Sequence, residues 1–378
     1  MIRVLTVLGT RPEAIKLAPV IHALEDNTET ESIVCVTGQH RELLEPMLKF
    51  FNIKTNYNLD VMHKNQALSD ITSDVLLKLK PILEKEKPDL VLVQGDTSTT
   101  FSAALAAYYQ GIPVAHVEAG LRSYNLHSPF PEEANRRFVS SIARWHFAPT
   151  NAARQNLISE RIQPEQVHVT GNTVIDSLLW TKDRVIGKNF SGVYGSAEEV
   201  LHSGLPIILV TGHRRESFGE GFEQLCKALS HLAKKHHEWH FVYPVHLNPN
   251  VQSPVYDNLS DIHNIHLIQP LVYETFVQLM NRAKLIITDS GGIQEEAPSL
   301  GKPVLVTRDV TERTESVEAG SSVLVGMNFD RIVSETESIM LDDLRYAKMV
   351  GVRNPYGDGD SAKRIVKILV DDFKVSDA

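Results

Sequence analysis

The chain has 378 residues, 42% hydrophobic and 22% charged, with 38 Lys and Arg against 47 Asp and Glu for a formal charge of −9. At about 150 residues per domain, that length predicts two domains, each with its own core. The acidic balance excludes the broad basic surface that nucleic acid requires, and two cysteines, Cys35 and Cys226, exclude a disulfide framework or a cysteine-zinc site.

The opening residues MIRVLTVLGT carry no basic n-region and no cleavage signal. No later run approaches about 18 consecutive apolar residues, so the expectation is a soluble, cytoplasmic protein without a membrane partner. Short β-branched runs alternate with helix-period segments from the start: IRVLTVLG, PEAIKLAPVIHALED, SIVCVTG, RELLEPMLKFF, ITSDVLLKLKPILEKEK, DLVLVQGD, TTFSAALAAYYQ, PVAHVEAG and EEANRRFVSSIARW. That alternation predicts an α/β fold, and strands apolar throughout predict parallel sheets covered on both faces. Between about Trp180 and Gly204 the pattern lapses into a polar, glycine-rich stretch, where a domain boundary is expected.

A second α/β series follows: LPIILVTGH, FEQLCKALSHLAKKH, HFVYPVH, IHLIQP, ETFVQLMNRA, KLIITD, QEEAPSLG and KPVLVTR. The expected organisation is an N-terminal domain over 1–185, a C-terminal domain over 186–355, and a last helical segment over 356–378 that returns to the first domain. Doubly wound sheets bind ligands beyond the carboxyl ends of their strands, in this arrangement in a cleft between the domains. The residues that follow each strand therefore carry the functional reading.

After the first strand, Thr10 and Glu13 have capping-box spacing with Pro12 in the first turn, a purely structural role. Arg11 and Lys16 have no such duty, and a cation at a helix start is out of place unless an anion sits there too. Asp96 ends DLVLVQ, as either a helix N-cap or a site carboxylate. Glu118 at the tip of PVAHV needs a cation or a ligand. Glu132 and Arg136, one helical turn apart, are either a surface ion pair or a placed pair. His213 stands with Arg214 and Arg215 after PIILV. The strand LIIT leads through Asp289 into Ser290-Gly291-Gly292, a strand, tight turn and helix start suited to a phosphate. Arg308 and Arg313 either pair with the neighbouring acids or clamp a phosphate.

Other signals fail their context. Gly357-Asp358-Gly359-Asp360-Ser361-Ala362 fits a dinucleotide fingerprint but follows no apolar strand, and His236, His237 and His240 cross from a helix end into a strand. Neither a P-loop lysine motif nor a nucleophile elbow is present, and no metal or cofactor is expected.

With GTRPEAIK, TGQHRELL, VQGDT, HVEAGLRS, SPFPEEANRR, TGHRRE, YPVHLNP, TDSGGIQEEAPSLGKPVLV, TERTESVEAG and NPYGDG in order, the sequence closely resembles the non-hydrolysing UDP-N-acetylglucosamine 2-epimerases from Leu5 to about Asp360. The resemblance implies two Rossmann-like domains of the glycosyltransferase-B type, a homodimer, and interconversion of UDP-N-acetylglucosamine with UDP-N-acetylmannosamine for bacterial surface polysaccharide. It implies a nucleotide-sugar site comprising Arg11, Lys16, Asp96, Glu118, His213, Leu271, Phe276, Ser290, Gly291, Gly292, Glu296 and Arg313. Within it, Ser290 to Gly292 would meet the diphosphate, Glu296 the ribose hydroxyls, and the segment from Leu271 to Phe276 the uracil. The implied catalytic set is Asp96, Glu118, Glu132, Arg136 and His213, and Gln39, Arg214 and His246 are implied in binding a second UDP-N-acetylglucosamine as activator.

The family's route expels UDP from C1 as the C2 proton leaves, giving a bound glycal, and then adds UDP back. Such chemistry needs acid/base carboxylates around the sugar and strong stabilisation of the departing diphosphate. Alternative readings are a 2-epimerase of a related UDP-acetamido sugar, a UDP-sugar glycosyltransferase, and a non-catalytic nucleotide-sugar sensor.

Overall fold

The computed structural model of the chain describes residues 1–38, 41–63, 66–214 and 218–376. The alternation of strands and helices forms two sheets. The first comprises β1 (Ile2–Leu8), β2 (Thr30–Val36), β3 (Tyr57–Asn58), β4 (Leu90–Gln94), β5 (Val114–Val117), β6 (Trp145–Ala148) and β7 (Val167–Val169), in the order β3-β2-β1-β4-β5-β6-β7. The second comprises β8 (Ile207–Thr211), β9 (His240–Pro244), β10 (Ile265–Ile268), β11 (Leu285–Thr288), β12 (Val304–Val306) and β13 (Ser322–Leu324), in the order β10-β9-β8-β11-β12-β13. All neighbouring strands are parallel.

The chain divides into two compact units, one made of Met1–Ser177 with Tyr356–Ala378 and the other of Leu178–Pro355. In the first unit, Leu5, Val7, Ile33, Val91 and Val93 on the strands pack against Val75, Leu79, Leu83, Ala103, Ala107 and Val139 on the helices. In the second, Ile208, Val210, Phe241, Leu285 and Ile287 pack against Phe222, Leu225, Leu229 and Leu232. Strands buried on both faces explain why their sequences run apolar instead of alternating.

The helix Thr173–Val185 continues into the polar stretch that begins near Trp180, and a shorter helix, Glu198–Ser203, lies inside it. The last helix, Ser361–Ser376, lies against the helix Arg11–Glu25 of the first unit. It is held there by the Trp145 indole, which donates to Asp372 at 2.7 Å, and by Asp176, which accepts the Ala362 amide at 2.8 Å. No described helix is long and apolar enough to cross a membrane.

In both sheets the strand order reverses once. The chain builds outward from β1 to β3 and returns to the other side of β1 with β4; likewise it builds from β8 to β10 and returns beside β8 with β11. At such a point the two connections leave on opposite faces and open a crevice beyond the strand ends.

Two features of the first unit carry direct tests. Gly120 has φ +91°, and a Cβ there would come within 2.2 Å of the Ala153 carbonyl oxygen, so Gly120→Ala should cost at least about 3 kcal/mol in urea unfolding. His116 and His146 sit side by side on β5 and β6, fully buried, where burial pushes their imidazoles down to about 4 and about 3. The unfolded chain takes up these protons first, so their effect on stability is nil above about pH 6.5 and destabilising as pH falls towards 4, by on the order of 3 kcal/mol per residue. His146→Leu should flatten that acid slope when urea midpoints are compared between pH 7 and pH 5.

Candidate functional site

At the first reversal, Thr10 caps the helix Arg11–Glu25 and the capping box closes. The Glu13 carboxylate accepts the amides of Gly9 at 3.0 Å and Thr10 at 2.7 Å, and the hydroxyls of Thr97 at 2.8 Å and Thr100 at 3.1 Å. It thereby ties the end of β1 to the end of β4, so its role is structural. Arg11 lies half-buried at the first position of that helix.

One turn further on, the Lys16 ammonium sits 2.6 Å from both oxygens of Glu118. Gln94 also donates to Glu118, and Asn172 does so at 3.2 Å. The Glu118 side chain is 4% exposed and its backbone is left-handed at φ +64°, a conformation that costs a non-glycine residue about 1 kcal/mol or more. A strained residue whose carboxylate is met by three side-chain donors is a fixed anion.

Asp96 is paired with Arg136, and its main-chain carbonyl accepts from Asn135 at 2.9 Å. Arg136 lies on the helix Glu132–Ile142, and its second partner is Glu133 at 3.2 Å, not Glu132. Glu133 is wholly buried and also accepts the amides of Ser123 at 2.9 Å and Tyr124 at 3.2 Å. Glu132, half-buried at the helix start, accepts no hydrogen bond from any described residue.

In the second unit, β8 and β11 end in step, with the Thr211 and Thr288 hydroxyls 2.6 Å apart. His213 and Arg214 follow β8, and both direct their amides to the buried Asp289 carboxylate at 2.8 Å. The His246 ring stacks on His213 at 5.7 Å between centroids. The Arg214 Nε donates to the Asp289 carbonyl at 2.9 Å, and Gln39 lies outside the described residues.

Beyond β11, Ser290 stands at the N-cap position of the helix Gly291–Glu296 without a side-chain capping bond, and its own amide goes to the Thr288 hydroxyl at 3.0 Å. A Cβ on Gly291 would lie 3.2 Å from the Arg313 guanidinium carbon. Glycine therefore lets Arg313 lie against the helix start, where Glu295 at 2.9 Å and Glu312 at 3.6 Å hold it. Arg308 is spoken for by Glu312 at 2.9 Å; burial raises the Glu312 carboxyl, but the bond from Arg308, a main-chain hydrogen bond and the charges of Arg308 and Arg313 together outweigh this and take it to about 2. The Tyr273 hydroxyl donates to Glu296 at 3.0 Å, which brings the start of the helix Tyr273–Arg282, with Leu271 before it and Phe276 on it, to the ribose-binding candidate.

Of the residues singled out in sequence, Arg11 and Asp96 stand at the reversal of the first sheet, with Lys16 reaching Glu118 after β5 and Arg136 reaching Asp96; His213, Arg214 and Ser290 to Gly292 stand at the reversal of the second. Sequence reasoning overlooked Gln94, Glu133, Asn172, Tyr273 and Asp289, the side chains that hold the named ones. The available signal was a carboxylate or amide at the last residue of a buried strand, as at Gln94, or immediately beyond it, as at Asp289. Among the described residues no group of His, Cys, Asp and Glu is arranged to hold a metal ion.

The family profile of UDP-N-acetylglucosamine 2-epimerases matches residues 22–370. The UDP-N-acetylglucosamine 2-epimerase of Yersinia pestis is 54% identical over 97% of this chain and 98% of its own. The crystal structure of the Neisseria meningitidis UDP-GlcNAc 2-epimerase bound to UDP-GlcNAc is 50% identical, with a TM-score of 0.89 over 98% of this chain and 100% of that one. That of Methanocaldococcus jannaschii, in complex with UDP-GlcNAc and UDP, is 34% identical with a TM-score of 0.78 over 98% and 99%. The two parallel-sheet α/β units are of the glycosyltransferase-B type, and the chain belongs to the UDP-N-acetylglucosamine 2-epimerase family.

Proposed function

We propose that the protein interconverts UDP-N-acetylglucosamine and UDP-N-acetylmannosamine without hydrolysing them. The observation that carries this reading beyond the similarity is the division among the carboxylates of the first unit: Glu118 is held by three side-chain donors, whereas Asp96 has one arginine partner and Glu132 has none among the described residues. The hydrogen on C2 is not acidic, because no carbonyl adjoins it. A concerted loss avoids a free carbanion: the C2–H bond gives its proton to a carboxylate, C1=C2 forms, and UDP leaves with the electron pair of the C1–O bond. Re-addition of UDP to C1 while a carboxylic acid protonates C2 from the other face gives the epimer.

Each residue then has a task. Glu118, held by Lys16, Gln94 and Asn172 and 4% exposed on its side chain, keeps its negative charge and shapes the field. Asp96, with its side chain 28% exposed and one arginine partner, and Glu132, with none among the described residues, handle the C2 proton. In the second unit the helix start at Ser290 to Gly292, with His213 and Arg313, stabilises charge growing on the diphosphate. Glu296 takes the ribose, and the segment from Leu271 to Phe276 the uracil. The resemblance also supports a cytoplasmic homodimer whose product enters surface polysaccharide.

In D₂O, UDP-N-acetylglucosamine alone should convert to the manno epimer with deuterium at C2, read by NMR; absence of exchange would defeat the reading, and transfer to an acceptor without exchange would favour a glycosyltransferase. Asp96→Asn and Glu132→Gln should each lower kcat by roughly 100-fold or more. Steady deuterium uptake in both would remove them from the proton-transfer role.

A further inference from the structure

Asp289 is the last residue before the Ser290-Gly291-Gly292 turn and is fully buried; its Oδ2 serves the end of β8, while its Oδ1 is buried without a hydrogen-bond partner. Oδ2 accepts the main-chain N–H groups of His213 and Arg214 at 2.8 Å each, and Oδ1 faces the Nδ1 atom of His213 at 3.3 Å. The Thr211 and Thr288 hydroxyls, 2.6 Å apart, join the two strands beneath it. Burial raises the Asp289 carboxyl, but the bonds from His213 and Arg214 outweigh it and leave it below the ordinary value, so the group is ionised at neutral pH. A carboxylate oxygen can only accept, and a bare Nδ1 lone pair facing the unpartnered Oδ1 at 3.3 Å would be repelled, so a proton is favoured on the imidazole nitrogen opposite it. That selects the Nδ1–H form of His213 and leaves Nε2 as its second site, on a side chain that is 47% exposed.

We propose that Asp289 is a positioning residue that holds His213 in the Nδ1–H form with Nε2 presented to the departing diphosphate; this rests on the reading of His213 given above. A proton taken up at Nε2 makes an imidazolium whose charge is shared with the Asp289 carboxylate. The Nε2–H then donates to the diphosphate as the C1–O bond breaks. The interaction strengthens as charge leaves C1, so its loss is felt in kcat more than in KM.

Asp289→Asn separates this role from support of the turn. The amide oxygen can still accept the two main-chain N–H groups, while the amide N–H₂ faces Nδ1 and forces the proton to Nε2. With ¹⁵N-labelled histidine, the wild-type protein should show His213 protonated at Nδ1 and the variant should show it at Nε2, the signal being assigned by its loss in His213→Asn. The variant's kcat should fall by about 100-fold with KM changed less than about threefold, and Asp289→Asn should cost almost nothing further in a His213→Asn background. A wild-type His213 protonated at Nε2 when neutral overturns the proposal, as does a folded Asp289→Asn protein whose kcat stays within threefold of wild type. If the variant does not fold, the wild-type tautomer decides alone. The nitrogen spectrum is read without turnover, so failure of the C2 exchange would sink the epimerase reading and leave this measurement intact.

Discussion

The reversal of strand order in each sheet is the constraint on which the rest depends. A parallel strand can be followed only by a crossover, and crossovers of fixed hand put successive helices on one face until the chain returns to the middle of the sheet. Between β1 and β4, and again between β8 and β11, adjacent strand ends lack a connection that covers them. Main-chain donors and short polar side chains can gather there without interrupting the sheet. Glu13 bridges the first gap, by way of Gly9, Thr10, Thr97 and Thr100, and Asp289 bridges the second, by way of His213 and Arg214. A buried carboxylate that links two strand ends by such bonds fixes their spacing, and so the spacing of whatever side chains follow.

Much of this was legible because the chemistry is written at strand ends. Runs such as LVLVQ and LIIT are apolar on both faces, so a polar residue immediately beyond them stands out, and Asp96, Glu118, His213 and Ser290 were all found by that rule. The short strands were not legible. β3 has two residues and β7 and β13 three each, too few to show any period, and Trp145 reads as the end of an amphipathic helix. The helix in fact stops at Ile142, because Ala143 adopts an extended conformation and the chain turns into β6. The polar stretch after Trp180 hides a helix end for a related reason: in the last turn of helix Thr173–Val185 the charged Lys182, Asp183 and Arg184 stand between the buried Thr181 and Val185, so a single apolar residue marks the buried face.

Pairings inside the site were less legible than the residues themselves. Spacing proposed Glu132 with Arg136, one turn apart on a helix. Arg136 reaches instead to Asp96 from a different strand end and to Glu133, a carboxylate with no exposure at all. Sequence distance fixes which side chains can meet along a helix, but the competing partner here arrives from Asp96, 40 residues earlier. The desolvated Glu133, already accepting two amides, offers a stronger field than a half-exposed Glu132. The same competition fills Arg308, which goes to Glu312, and leaves Arg313 lying on Gly291.

The carboxylates consequently fall into two kinds, and the difference lies in what donates to them. Glu13, Glu133 and Asp289 are buried and accept main-chain amides, so they are tied to the backbone they hold. Glu118 reaches the same fixed state through side chains, at the expense of a left-handed backbone. Asp96 and Glu132 accept no main-chain amide among the described residues, so neither is tied to the backbone. Each also has a buried carboxylate nearby: Glu133 is next in sequence to Glu132 and shares Arg136 with Asp96. A reaction that must take a proton from one face of a carbon and return it to the other needs that combination: carboxylates that exchange protons, standing on a framework of carboxylates that do not.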